Sequence, residues 1–149
     1  MIDKIKKHIW LCVVAVTVAL LGCGRASAQV NTDQVMNIGR NAMYFEDYVL
    51  SIQYFNQVIS MKPYLAEPYF YRAVAKLNLG DYKGAEEDCS LALSRNPFII
   101  DAYQVRGVAR QTMRKYKEAI ADYSSGLKQL PEHKYFLIKT VFLIDIMNI

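Results

Sequence analysis

Apolar and polar positions follow a helical period along most of the chain, and residues 66–99 show the pattern most clearly. One apolar stripe ends at Leu79, Gly80 breaks it, and a second stripe begins at Ala85. Asp81 stands just before the second stripe, where an aspartate can accept hydrogen bonds from the unpaired N–H groups of a helix start. This segment therefore predicts two helices joined by a tight turn.

The same pattern fits again when it is shifted by 34 residues in either direction. Five position classes keep this spacing, which is difficult to obtain by chance. Three tandem repeats result, 32–65, 66–99 and 100–133, and each predicts two antiparallel helices. The helices are expected at about 33–45 and 49–61, 67–79 and 84–95, and 101–113 and 118–129. The matching residues are Pro63, Pro97 and Pro131; Tyr48, Tyr82 and Tyr116; Gly39, Ala73 and Gly107; Ser51, Ala85 and Ala119; and Phe55, Cys89 and Tyr123.

This period and pattern resemble those of tetratricopeptide repeat proteins. The resemblance implies an all-α fold, a right-handed superhelical solenoid of antiparallel helix pairs, and a function in protein–protein interaction. Repeat one departs from the family at Val58, where a small residue is expected. The signature residues are Tyr69, Ala73, Tyr82, Ala85, Cys89, Ala92 and Pro97 in repeat two; Tyr103, Gly107, Tyr116, Ala119, Tyr123, Gly126 and Pro131 in repeat three; and Val35, Gly39, Tyr48, Ser51, Phe55 and Pro63 in repeat one.

Residues 1–28 have the composition of a secretory signal peptide. The basic segment Met1–His8 precedes the apolar run Ile9–Leu21, which is shorter than the roughly 20 residues that a membrane span needs. Cleavage after Ala28 would give a mature chain beginning at Gln29. Two alternatives stay open: lipidation at Cys23, which ends a sequence similar to a bacterial lipobox, or an uncleaved anchor. All three export the repeats, and we expect a protein of the bacterial periplasm or cell envelope, with a membrane-anchored lipoprotein as the alternative.

The formal net charge of +4 belongs mostly to this leader. Residues 1–28 hold four basic residues and one acidic residue, which leaves 14 basic and 13 acidic residues in the remainder. A nearly neutral remainder has no general attraction for nucleic acid. We therefore expect no nucleic-acid partner, and membrane contact only through the leader or a lipid anchor.

Residue types that carry chemistry are scarce in the predicted mature chain. His133 is its one histidine and Cys89 its one cysteine, so the sequence indicates no Cys/His metal set and no Ser-His-Asp arrangement. Cys89 falls at a core position, which favours an inert buried thiol over a reactive one. The adjacent acidic residues Glu86, Glu87 and Asp88 point in different directions on a helix. We predict a non-enzyme without cofactor or metal.

Charged residues at two fixed positions predict ion pairs between the helices of a repeat. Arg72 and Arg106 occupy the seventh position of repeats two and three, and Asp88 and Asp122 occupy the twenty-third. Repeat one has uncharged residues at both positions. We expect an Arg72–Asp88 pair and an Arg106–Asp122 pair, which would neutralise half of an alternative basic ladder for nucleic acid or an acidic peptide. That ladder consists of Arg72, Lys76, Arg106 and Arg110.

The resemblance implies a concave groove lined by the first helices of the repeats. Methionine and phenylalanine there would form an adaptable apolar floor for a peptide or an amphipathic helix. A clamp for a terminal carboxylate, as in chaperone-binding members of the family, is disfavoured, because Arg40 is the only basic residue at the corresponding positions Met36, Arg40, Tyr71, Asp101 and Val105. The predicted groove residues are Met36, Arg40, Met43, Tyr44, Phe70, Val74, Leu77, Asn78, Gln104, Val108 and Gln111.

The stretch 134–149 is apolar on nearly every side of a predicted helix. Three interpretations stay open: a closing helix over Leu127, a docking surface for another chain or a membrane, or the start of a shortened fourth repeat. The alternative function is therefore structural, with self-association through this helix to give a homo-oligomer. Arg114, Lys115 and Lys117 cluster in the turn of repeat three, as a solvated turn or as a patch for anionic lipid or an acidic partner.

Overall fold

A computed structural model describes residues 31–132 and 134–147. The predicted leader, its cleavage and lipidation sites, and His133 lie outside the described residues. The compact unit begins at Thr32, and the described part of it is helical without strands. None of the described helices has the length and apolar character needed to cross a membrane. The helices are α1 Thr32–Tyr44, α2 Tyr48–Met61, α3 Glu67–Asn78, α4 Tyr82–Arg95, α5 Ile100–Thr112, α6 Tyr116–Gln129 and α7 Lys134–Met147.

The helices form three hairpins, α1 with α2, α3 with α4, and α5 with α6, and α7 packs on α6. Each second helix also contacts the first helix of the next hairpin, and the first helices contact one another along the array. The all-α solenoid predicted from the sequence is confirmed, and the six helices of the repeats begin and end within two residues of their predicted bounds.

The turn inside the second hairpin uses the residues that the sequence indicated. Asp81 accepts a hydrogen bond from the backbone N–H of Gly84 at 2.9 Å, which confirms it as the cap of α4. Gly80 adopts a left-handed conformation with φ of 80°, which glycine reaches without steric cost. Glu46 and Arg114 take the same conformation in the other two hairpins, with φ of 61° and 62°.

Glycines admit aromatic rings between neighbouring helices. A Cβ atom added to Gly39 would lie 2.8 Å from the Phe55 ring, and one added to Gly107 would lie 2.4 Å from the Tyr123 ring. Gly126 plays the same part for α7, since an added Cβ would lie 2.5 Å from Phe136. Gly126 therefore allows α6 to pack closely against the first turn of α7.

Helix α7 is buried on one side only. Phe136 and Leu143 are fully buried against α6, and Leu127 packs against the same cluster. The rest of α7 exposes a broad apolar surface. Its exposed residues are Leu137, Ile138, Val141, Phe142, Ile144, Ile146 and Met147.

Candidate functional site

The predicted groove contains a depression at its N-terminal end, between α1 and α3. It measures about 300 Å³ and is lined by Arg40, Met43, Tyr44 and Tyr71. The Tyr71 ring stacks on Phe55 with 5.8 Å between ring centroids, so the core holds it in place. The Arg40 guanidinium lies 5.5 Å from the Tyr71 ring centroid, within the range of a cation–π interaction.

The predicted groove residues of repeat one differ in their exposure. Tyr44 is 83% exposed and meets Phe45, which is also exposed, edge to face at 5.2 Å. Met36 was predicted to line the groove, but it is buried in a cluster with Phe55 and Val58. Its flexible side chain fills the space beside the aromatic ring, as methionine often does. Met36 is therefore a core residue.

The groove residues of the other two repeats are less available. Phe70, Val74 and Leu77 are partly buried, while Asn78 is exposed and donates to a backbone oxygen. In repeat three Val108 is partly buried, and both predicted glutamines bind side chains of the unit itself. Gln111 accepts a hydrogen bond from the Tyr123 hydroxyl at 3.1 Å, and Gln104 is hydrogen bonded to Tyr135. The predicted groove side chains that are exposed are Arg40, Tyr44 and Asn78, while Met43 is partly buried against the core.

Both predicted ion pairs are present inside their hairpins. Arg72 Nε donates to Asp88 Oδ2 at 2.8 Å, and Arg106 Nη2 lies 2.6 Å from Asp122 Oδ1. The aspartate side chains are almost completely buried, whereas each arginine side chain keeps about a sixth of its surface exposed. Since a buried carboxylate is costly without a partner, each pair fixes the second helix against the first.

The ionic network includes more residues than the two predicted ion pairs. Lys76 Nζ lies 2.9 Å from Asp88, and Arg110 Nη1 lies 2.9 Å from Asp122, so each aspartate receives two cations one helical turn apart. Each seventh-position arginine also reaches the preceding repeat. The partners there stand sixteen residues earlier, Asn56 for Arg72 at 2.6 Å and Ser90 for Arg106 at 3.1 Å. All four cations of the ladder therefore contact buried aspartates.

No protein-family model and no curated protein matches the chain. Solved structures do match it. The TPR domain of Arabidopsis OM64 is 28% identical, with a TM-score of 0.73, and the match covers 75% of this chain and 93% of that one. The first TPR of Spaghetti (RPAP3), bound to the HSP90 peptide SRMEEVD, is 24% identical with a TM-score of 0.75, over 79% and 96%. The Sgt2 TPR domain from Aspergillus fumigatus is 24% identical with a TM-score of 0.73, over 80% and 81%.

The fold is that of a tetratricopeptide repeat solenoid.

The basic turn of its third TPR hairpin is partly neutralised. Lys115 Nζ lies 2.6 Å from Glu86 Oε2, and Arg110 Nε lies 2.8 Å from Glu86 Oε1, so Glu86 joins repeats two and three. Burial opposes the ionisation of Glu86, but the hydrogen bonds from Lys115 and Arg110 outweigh it and lower its pKa. Arg114 and Lys117 remain exposed.

The cysteine of the TPR unit has the environment of a core residue. Cys89 is fully buried, and burial raises the pKa of its thiol to about 12. A thiol of this kind is almost wholly protonated at neutral pH and reacts slowly. Among the described residues, no group of three or more histidine, cysteine or acidic side chains is placed to hold a metal ion.

Proposed function

We propose that the chain is a non-catalytic protein-interaction module, exported to the bacterial cell envelope, that binds a peptide or a helix in the TPR groove. The observation that carries the proposal is the depression of about 300 Å³ between Arg40, Met43, Tyr44 and Tyr71. Tyr44 contributes little to the core, so most of its ring is available to a ligand, and buried aromatic anchors contribute much of the energy of protein interfaces.

The charge of the groove constrains the ligand. The RPAP3 domain is bound to a peptide that ends in Glu-Glu-Val-Asp. Of the five positions that correspond to a carboxylate clamp, this chain has a basic residue only at Arg40, and Asp101 would repel a carboxylate. We therefore infer an internal apolar segment, with an aromatic or aliphatic anchor beside Tyr44 and at most one acidic residue near Arg40.

A peptide selection tests this proposal directly. The chain from Gln29 is used to select a phage-displayed library of random 12-residue peptides, and enriched peptides are synthesised with free and with amidated C-termini. Binding is measured by fluorescence anisotropy. We expect amidation to change the affinity less than twofold and Tyr44→Ala to weaken it at least tenfold, about 1.4 kcal/mol.

Tyr64 supplies the matched control, because it is also a largely exposed tyrosine but lies in the connection between α2 and α3. Tyr64→Ala should leave the affinity unchanged. Equal losses for the two variants, or selection of peptides that require a free carboxylate, would contradict the proposed groove.

The second candidate function is self-association through α7, which the exposed apolar side of that helix favours. Light scattering after size exclusion distinguishes it from peptide binding. A concentration-independent dimer that becomes a monomer after substitution on α7 would support assembly, and a monomer would exclude it.

Export rests on the leader sequence and is tested by the mass of the protein recovered from a fractionated bacterial host. Cleavage by a signal peptidase gives a chain beginning at Gln29, and lipoprotein processing gives a lipidated chain beginning at Cys23. Recovery of the uncleaved chain from the cytoplasm would contradict export.

A further inference from the structure

We propose that the exposed side of α7 binds an amphipathic helix of a partner protein, which covers α7 as a second helix covers the first in each repeat. This surface is separate from the groove, and the proposal does not depend on groove binding. The helix begins 34 residues after Ile100, so its positions match those of α3 and α5. Its fourth and eighth positions are Leu137 and Val141, each 50% exposed, and its eleventh is Ile144, 42% exposed.

In the hairpins, the fourth and eighth positions are buried or partly buried, and Lys76 and Arg110 at the eleventh position are partly buried and pair with an aspartate of the second helix. Tyr69 and Ala73 in α3 are buried, and Gly107 in α5 is buried. The inward side of α7 already follows the same scheme, because Phe136 and Leu143 are buried at its third and tenth positions. These positions are buried in α3 and α5 too, as Pro68, Ala75, Ala102 and Ala109. Helix α7 therefore continues the stacked array, and its exposed side is the side that a second helix would cover.

The sizes of the paired side chains define the covering helix. A glycine at the eighth position receives an aromatic ring from the second helix, as Gly107 receives Tyr123. In the second hairpin the eighth position holds Ala73 instead of glycine, and the second helix places Cys89 where the other hairpins have an aromatic ring. Both residues are fully buried. Because Val141 is larger than Ala73, the covering helix needs a small residue opposite Val141. It needs a second small residue four positions earlier, where the second helices of the hairpins have the buried residues Ser51, Ala85 and Ala119.

A second copy of α7 fits this surface poorly. The segment Lys134–Met147 contains neither glycine nor alanine, so two copies could not approach as closely as the helices of a hairpin do. The other end of the array is polar, because α1 has the exposed residues Gln34 and Asn41 at its third and tenth positions. Head-to-tail stacking would therefore bury amides against an apolar surface.

The charge at the C-terminal end of α7 indicates the orientation of the partner helix. A depression of about 400 Å³ is lined by Arg114, Lys115, Lys117 and Met147, together with Tyr116 and Glu118. A helix antiparallel to α7 would begin beside this depression. Basic residues near a helix start favour acidic side chains in the first turn. The expected partner is thus an amphipathic helix with an acidic first turn and small residues four apart on its apolar side.

The chain supplies a probe with the small residues that this surface requires. The segment 82–95, with Cys89→Ala, has small residues at 85 and 89 but no acidic residue in its first turn, so it tests the size requirement alone. The matched control is the segment 116–129, which has Tyr123 at the position where a small residue is required. Both peptides receive a lactam bridge on the outer side, at positions 87 and 91 or 121 and 125, because free peptides of this length are barely helical.

Binding of the fluorescent peptides to the chain from Gln29, which contains the whole compact unit, tests the proposal. We expect the first peptide to bind at least tenfold more tightly than the control peptide. Val141→Lys should abolish binding, while Tyr44→Ala in the groove should not change it. Val141→Gly should reverse the preference, because it recreates the glycine that admits an aromatic ring.

Three results would overturn the proposal: equal affinities for the two peptides, binding that survives Val141→Lys, or no binding by either peptide. A dimer that Val141→Lys separates would assign the surface to a second copy. Vesicles of phosphatidylglycerol that bind the chain, and release it on the same substitution, would assign the surface to a membrane. Circular dichroism of each variant verifies that it is folded.

Discussion

Removal of the negative charge of Asp88 tests whether the buried ion pairs hold the hairpins together. The carboxylate is 2% exposed and lies within 3 Å of both Arg72 and Lys76. In Asp88→Asn the side chain keeps its shape but leaves two cations opposite a neutral amide. The variant therefore changes the electrostatics without opening a cavity.

The expected cost follows from the burial of the partners. Breaking a fully buried ion pair by removing one charge costs about 3–5 kcal/mol. The side chain of Arg72 is 17% exposed and that of Lys76 is 23% exposed, so water can still solvate these cations and reduce the energetic cost. We expect Asp88→Asn to lower the free energy of unfolding by about 3 kcal/mol, at the lower end of this range. Urea unfolding followed by circular dichroism measures it.

The geometry also predicts an asymmetry between the partners. Arg72→Met leaves Asp88 paired with Lys76, so we expect it to cost about 1–2 kcal/mol less than Asp88→Asn. Glu87→Gln is the matched control, because Glu87 is the exposed neighbour of Asp88 on α4, and it should cost under about 0.5 kcal/mol. The reasoning is refuted if Asp88→Asn costs no more than Glu87→Gln, or if Arg72→Met is the more damaging change.

Three further predictions concern other parts of the unit. Cys89, buried and with its pKa raised to about 12, should react with Ellman's reagent at pH 8 only when urea unfolds the chain; rapid reaction in the native state would contradict its burial. Because Glu86 has a lowered pKa, its ionised form stabilises the unit above the ordinary value of 4.5, and this contribution disappears as pH falls through the lower folded value. Glu86→Gln should therefore reduce the urea midpoint at pH 7, and the difference should shrink by pH 3. Glu46→Gly should stabilise the unit by roughly 1 kcal/mol and raise its thermal midpoint, and Gly80→Ala should destabilise it by roughly 1 kcal/mol and lower the midpoint, because both residues have a positive φ; opposite shifts would contradict the turn geometry.

The features that could be predicted from the sequence are those set within one hairpin. Gly80 and Asp81 determine a turn through their own conformations, so the helix bounds follow from local chemistry. Arg72 and Asp88 occupy fixed positions on two helices joined by a short turn, so their meeting depends only on hairpin geometry. The same reasoning yields Arg106 and Asp122 in the next repeat.

The features that were missed depend on how the hairpins stack. Asn56 and Glu86 reach across repeat boundaries to Arg72 and Arg110, and the angle between neighbouring hairpins decides these contacts. Met36 occupies a groove position by register, but its side chain turns to the Phe55 ring, which the neighbouring hairpin also contacts through Tyr71. Sequence spacing locates such residues on a helix without stating which neighbour they meet.

The two ends of the array show why a pattern of identical repeats still has a direction. Positions three and ten face the preceding hairpin in α3, α5 and α7, and there they are buried. In α1 the same positions are Gln34 and Asn41, which are exposed and polar, so this end can face water without burying unpaired amides. At the other end, Val141 holds the eighth position, which every hairpin buries, yet it is half exposed. In an array whose stability is a sum of neighbouring interfaces, one more helix would bury more apolar surface on α7 than on α1. This asymmetry supports the proposed binding of a partner helix to α7. The groove then remains available for a second ligand.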